Sequence, residues 1–117
     1  MATYSGVVEE GEGAATRLGF PTINIPLHDA SVSGVYAARV TIDNARYDAV
    51  VFANPKRKVL EAHLLEVSDN LYGKTVSIEL YEKSRESEHF KDEHALSQAI
   101  AKDVEWARAY FVKHPDK

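Results

Sequence analysis

Apolar and polar residues alternate along most of this chain, up to about residue 83. Between residues 35 and 42, Tyr36, Ala38, Val40 and Ile42 share one side of an extended backbone, and Val35, Ala37, Arg39 and Thr41 share the other. Asp43-Asn44 reads as a hairpin turn into a strand over 47–53. Asn54-Pro55 opens another turn, and 59–67 forms the next strand. Ser68-Asp69-Asn70 and Tyr72-Gly73 then punctuate the chain before 75–81 alternates through Val76, Ile78 and Leu80. Shorter strands are predicted at 4–9 and 22–25. Six strands in 117 residues must hide their edges, and closure into a barrel is the usual way.

Past Phe90 the period changes. Leu96, Ile100, Val104, Ala107 and Phe111 recur three or four residues apart, the apolar stripe of a helix over about 92–113. Asp92 suits its N-cap, Glu93 its first turn, and Lys102, Glu105 and Arg108 its wet face. The helix is expected to lie on the barrel and plug one opening, with Trp106, Tyr110 and Phe111 in the core. No linker or repeat divides the chain, so residues 1–117 read as one domain.

Composition then narrows the function. Fourteen basic against eighteen acidic residues give a net charge of −4, which lacks the electrostatic footprint of a nucleic-acid binder. The basic run Lys56-Arg57-Lys58 reads as a solvated turn. With no cysteine there is neither a disulfide framework nor a thiolate metal site. No apolar run reaches the roughly 20 residues that span a bilayer, and Met1 to Val8 has no signal-peptide pattern, so no membrane partner and a cytoplasmic location are expected. His28, His89, His94 and His114 show no ligand spacing beyond His89 with Glu93, and no metal cluster is assigned to them.

Chemistry-bearing residues fall at two places. Residues 11–24 read Gly-Glu-Gly-Ala-Ala-Thr-Arg-Leu-Gly-Phe-Pro-Thr-Ile-Asn, a loop whose glycines let backbone approach a ligand. It is not a P-loop, because the Gly-Lys-Ser/Thr ending is missing. Pro21 fixes the backbone ahead of Thr22, and Thr22 and Asn24 point to one side, where a hydroxyl and a carboxamide oxygen can share a hard cation or hold a phosphate. Glu61 stands mid-strand in Val59-Leu60-Glu61-Ala62-His63-Leu64-Leu65, and a carboxylate among apolar groups is expected to rise in pKa toward general-base range. Taken singly, each has a plainer reading. Thr22 and Asn24 can be a hydrogen-bonded pair at a strand start, Glu61 a solvent-facing position, and His63 a packing histidine.

Taken in order, these strings resemble the riboflavin kinase family, the flavokinase domain that also forms the C-terminal half of bifunctional bacterial FAD synthases. The resemblance is carried by Ser5-Gly6-Val7-Val8, Leu18-Gly19-Phe20-Pro21-Thr22-Ile23-Asn24, Gly34-Val35-Tyr36-Ala37, Leu60-Glu61-Ala62-His63-Leu64-Leu65 and Asp69-Asn70-Leu71-Tyr72-Gly73-Lys74. Arg85-Glu86 with Phe90, and the C-terminal helix, complete it. It implies a mainly β fold, a six-stranded antiparallel Greek-key barrel with one C-terminal α-helix. The implied reaction is Mg²⁺-dependent transfer of the ATP γ-phosphate to the 5′-hydroxyl of riboflavin, giving FMN; a monomer acting on these small molecules is expected. Thr22 and Asn24 match the residues that coordinate Mg²⁺ and the ATP phosphates, and Glu61 matches the catalytic base. The loop carrying Gly11, Gly13 and Gly19 matches the flap over the nucleotide, and Arg85 lies in the segment that closes over the flavin.

The chain departs from the family at two loops. Ala15 stands where the family usually has glycine and Thr16 where it has arginine, with Arg17 one place later as a substitute. Alanine restricts the backbone more than glycine, so the flap is expected to sit differently. After the strand at 47–53 the family's Asn-Ile-Gly segment and second Pro-Thr are replaced by Ala53-Asn54-Pro55-Lys56-Arg57-Lys58, a ligand-covering loop cut to a turn. The implied consequence is weak substrate retention. The alternative is a non-catalytic flavin- or nucleotide-binding module on the same barrel. A purely structural domain would leave Thr22, Asn24 and Glu61 unexplained.

Overall fold

The alternating segments become six strands in the computed structural model, which describes residues 2–11, 13–67 and 71–115. They are β1 (Thr3–Val7), β2 (Ile23–Pro26), β3 (Gly34–Ile42), β4 (Ala45–Asn54), β5 (Val59–Leu64) and β6 (Thr75–Arg85). Two helical segments join them, α1 (Ala14–Arg17) and α2 (Glu93–Lys113). All the strand pairs are antiparallel, in the order β1-β6-β3-β4-β5-β2. Strands β3, β4 and β5 follow one another through hairpins, and β6 returns to lie beside β3, which is the Greek-key arrangement. The two ends of the sheet meet just past β1, where the Glu9 N–H donates to the Asn24 carbonyl at 2.8 Å. The barrel is thereby nearly closed.

Local chemistry explains the turns. Asp43 and Asn44 sit at φ 50° and 71°, the left-handed pair that a two-residue type I′ hairpin requires and that these residue types tolerate. At the next hairpin the Asn54 side-chain oxygen accepts from the Arg57 N–H at 3.1 Å, and Lys58 turns through φ 56°. Strand β5 ends at Leu64, short of the predicted 67, and β6 runs on to Arg85. The punctuation expected at Ser68-Asp69-Asn70 lies outside the described residues.

Ile25, Val40, Val51, Leu60 and Ile78 are fully buried inside the barrel, among the inward set of every strand from β2 to β6. Strands β3 and β4 are apolar on both faces. Their outward residues Val35, Ala37 and Val50 form a second cluster with Leu65, Ala107, Tyr110 and Phe111. Helix α2, capped by Asp92 accepting from the Ala95 N–H at 2.8 Å, therefore lies along the outer face of β3 and β4. This corrects the expectation that it plugs an opening. The apolar surface it has to cover is on the wall, and the lumen is already filled by its own side chains. Arg39, in the outward set of β3, anchors the C-terminal end of α2. Its Nε–H donates to Asp48 at 2.8 Å, another N–H donates to the Pro115 carbonyl at 3.2 Å, and its guanidinium lies over the Phe111 ring at 4.8 Å.

Two substitutions test this division of the core. Ile78→Ala empties a site inside the closed barrel and is expected to cost about 2–5 kcal/mol, read from the urea unfolding midpoint. Val112→Ala, on an 81% exposed residue of α2, is expected to stay within about 0.5 kcal/mol.

Candidate active site

One outward row of side chains crosses the barrel wall. On β2, Ile23 and Ile25 point in, so Thr22 just ahead of the strand and Asn24 point out. On β5 the same parity turns Glu61 and His63 outward. The register sets Asn24 directly opposite Glu61, then Glu61 opposite Phe52 on β4, Phe52 opposite Val35 on β3, and Val35 opposite Arg85 on β6. The row thus runs from polar through a single carboxylate to apolar and ends on a cation.

The polar end is tightly organised. The Thr22 hydroxyl reaches Glu61 Oε2 at 3.5 Å, and Asn24 is 95% buried. The loop backbone passes over Asn24 at Gly11, where a Cβ would stand 2.7 Å from the Asn24 Cγ and 2.8 Å from its Oδ1. Only glycine allows that approach. His63 packs, as its plainer reading had it. Its Nδ1–H donates to the Pro21 carbonyl at 2.7 Å and the Phe20 ring meets its edge, which fixes the segment leading into Thr22.

Between Gly13 and Gly19 the loop folds into the single turn α1, which the sequence pattern did not indicate. Gly13 precedes it at φ 78° and Gly19 follows it at φ 94°. Ala15 sits within the turn at an ordinary helical geometry, buried against the site, and its carbonyl accepts from the Leu18 and Phe20 N–H groups. Alanine in place of glycine therefore favours a compact turn over an open loop. The Thr16 hydroxyl accepts from the Thr22 N–H at 3.4 Å, and Arg17 approaches Glu93 of α2 at 3.9 Å.

Glu61 borders two clefts. One, of about 220 Å³, lies toward α2 and is lined by Val35, Phe52, Phe90, Leu96 and Ile100, with Ala15 at its rim. The other, of about 210 Å³, lies toward the loop and is lined by Glu9, Glu10, Gly11, Asn24 and Arg57. An apolar slot and a polar slot therefore meet at one carboxylate, which suits a reaction between an aromatic substrate and a charged one.

Arg85 shares the apolar cleft with Glu61, but its guanidinium is held by α2. Two N–H groups form a fork on the buried Asp103 at 2.9 and 2.7 Å, a third donates to the Glu86 carbonyl at 3.0 Å, and the group lies over the Phe90 ring at 5.7 Å. The Asp103 hydrogen bonds hold the Arg85 pKa above the ordinary arginine value. The sequence reading missed Asp103 and Phe52. Asp103 was detectable, because Ile100, Asp103, Ala107 and Tyr110 are spaced three or four apart and an acid on a buried stripe requires a cationic partner. Phe52 had no signal of its own, since any outward aromatic on a strand looks alike. Among the described residues no group of three or more His, Asp or Glu side chains is placed to hold a metal without help from other ligands.

Comparison with known proteins gives the family. The family model for Flavokinase, the riboflavin kinases, matches residues 1–111. The bifunctional riboflavin kinase/FMN adenylyltransferase of Haemophilus influenzae is 36% identical over 115 residues, covering 91% of this chain and 37% of its own length. The protein of the same description from Escherichia coli K12 is 34% identical over 116 residues, covering 92% and 37%. The chain thus spans little more than a third of the length of these relatives. Among solved structures, the riboflavin kinase of Trypanosoma brucei superposes with a TM-score of 0.70 at 23% identity, covering 95% of this chain and 77% of that one. A Streptococcus pneumoniae chain described as a macrolide-efflux protein gives 0.74 at 24% identity, covering 91% and 36%. Both show the shared barrel. With the family model matching nearly its whole length, the chain belongs to the riboflavin kinase family.

Proposed function

We propose that this chain phosphorylates riboflavin to FMN with ATP and Mg²⁺. The observation that carries the reading is the position of Glu61 between an apolar and a polar cleft, with Thr22 and Asn24 beside it. The isoalloxazine ring occupies the apolar cleft, between Phe52 and Phe90 and near Arg85. The ribityl chain then brings its terminal hydroxyl to Glu61. The triphosphate occupies the polar cleft under the loop formed by Gly11, Gly13 and Gly19.

The donor set at the polar cleft fits a hard cation. A hydroxyl and a carboxamide oxygen are both hard oxygen donors of the kind Mg²⁺ takes, and the phosphate oxygens of a bound nucleotide would supply others. Thr22 and Asn24 would hold it, and when bound it neutralises charge on the transferring phosphoryl group. The protein's own part is positional. Glu61 takes the proton from the ribityl hydroxyl as that oxygen bonds to the γ-phosphorus, and the bond to the β-phosphate oxygen breaks to release ADP. The α1 loop on one side and Phe90 with α2 on the other hold the two substrates in line and limit access of water.

Glu61→Gln is expected to bind riboflavin within twofold of the wild type and to lose turnover by roughly 10²–10⁴-fold, measured as FMN formed. Unchanged turnover would remove Glu61 from the mechanism. Asn24→Ala is expected to weaken Mg-nucleotide binding by about tenfold while riboflavin binding in the absence of metal is preserved, both read by calorimetry. Equal weakening of both ligands would mean that the loop resting on Asn24 had collapsed. Flavin binding with neither nucleotide binding nor FMN formation would replace the kinase with a flavin-binding module.

A further inference from the structure

The polar cleft is poorly charged for a nucleotide. Three of its lining side chains, Glu9, Glu10 and Glu61, are carboxylates, and a triphosphate entering beside them meets like charge at short range. Among the described residues that line it, Arg57 is the cationic one. The loop does not supply another. Thr16, where the family resemblance leads one to expect arginine, uses its hydroxyl to accept from the Thr22 N–H, and Arg17 extends toward Glu93 and lines neither cleft.

We propose that Arg57, on the β4–β5 turn, binds the donor's terminal phosphates, so that the shortened turn supplies the cation that the flap lacks. The proposal rests on the kinase reading above and goes beyond it by assigning a phosphate-binding residue to a turn outside the flap and the strand residues. Three backbone hydrogen bonds pin the turn. The Arg57 N–H bonds the Asn54 side chain at 3.1 Å, the Lys58 N–H bonds the Pro55 carbonyl at 3.3 Å, and the Lys58 carbonyl accepts from Leu27 just past β2 at 2.9 Å. Lys58 holds a left-handed φ of 56°, which a β-carbon-bearing residue adopts only where the surroundings enforce it. The anchor of Arg57 is therefore fixed relative to Asn24 and Glu61, and a planar guanidinium suits two phosphate oxygens at once. Cutting the loop to a turn removes a cover from the site and brings a basic side chain against the cleft.

The test uses Arg57→Gln, Arg57→Lys and, as a control of equal charge change on the same turn, Lys56→Gln, whose side chain is exposed and lines neither cleft. Mg-ATP binding is measured by calorimetry, riboflavin binding by flavin fluorescence, KM and kcat by FMN formation, and folding by thermal melting. Arg57→Gln is expected to raise the Mg-ATP Kd and KM about tenfold, with riboflavin affinity within twofold of wild type. Arg57→Lys, a point charge without the fork, is expected to lose about threefold, and Lys56→Gln less than twofold. Normal FMN formation with an unchanged nucleotide KM in Arg57→Gln would overturn the proposal and leave the kinase reading standing, as would an equal loss in Lys56→Gln. If Arg57→Gln melts early, Arg57→Lys decides, and full affinity there overturns the proposal. Wild-type protein that binds Mg-ATP through Arg57 but forms no FMN would keep the proposal and remove the kinase reading. Wild-type protein that binds no Mg-ATP would remove both.

Discussion

The hydrogen bond from the Glu9 N–H to the Asn24 carbonyl joins the two ends of the sheet, and much else depends on it. A six-stranded sheet left open here would expose the edges of β1 and β2 to water and to other chains. Closing it fixes the β2 backbone, and with it the direction of the Asn24 side chain on the opposite face of the pleat. The residue that seals the barrel through its carbonyl thus presents its carboxamide to the candidate site. Fold and site share one residue, so disturbing the seam reaches the site directly. The close passage of Gly11 over Asn24 has the same origin, since the chain must cross that side chain on its way from β1 to α1.

A second constraint comes from β3 and β4, which are apolar on both faces. A strand with one wet face needs no outer layer, but these two require α2. The helix that covers them also forms the far wall of the apolar cleft through Leu96 and Ile100. Its buried Asp103 holds Arg85, and so ties the end of β6 to the helix where the Glu86–Asp92 connection begins. Such a buried fork gives register more than net stability, because desolvating the two charges offsets much of their attraction. The cleft therefore exists because a packing requirement placed a helix beside an outward row of strand residues.

The loops around the candidate site and the wall that carries it are built differently. Asn24, Glu61, Phe52 and Val35 sit on paired strands, where the register fixes their spacing. The flap and the β4–β5 turn lie outside those paired strands. Although Thr16 and Lys58 each bond to the segments flanking β2, the spacing of the wall residues does not depend on the loops' length or charge. Ala15 and Thr16 lie in the compact turn α1, and the run at Asn54–Lys58 forms a tight turn that carries Arg57 to the edge of the polar cleft.

Much of this was written in the sequence. Period-two alternation set which residues of each strand face together, so Thr22 with Asn24 and Glu61 with His63 could be grouped before any fold was known. The three- and four-residue spacing after Phe90 and the acid at position 92 fixed the helix and its start, because both are local properties of a few neighbouring residues. Family strings supplied the roles expected of Glu61, Thr22 and Asn24. What the linear pattern left open was adjacency. Nothing local says that Asn24 lies across from Glu61, that α2 covers a wall and not an opening, or that Arg57 borders the same cleft as Gly11. Those facts arise when strands distant in sequence choose partners, a choice made by burying two apolar clusters at once. Asp103 belongs to the same class: its position on the buried stripe called for a partner, and only the packing of α2 against the end of β6 named Arg85.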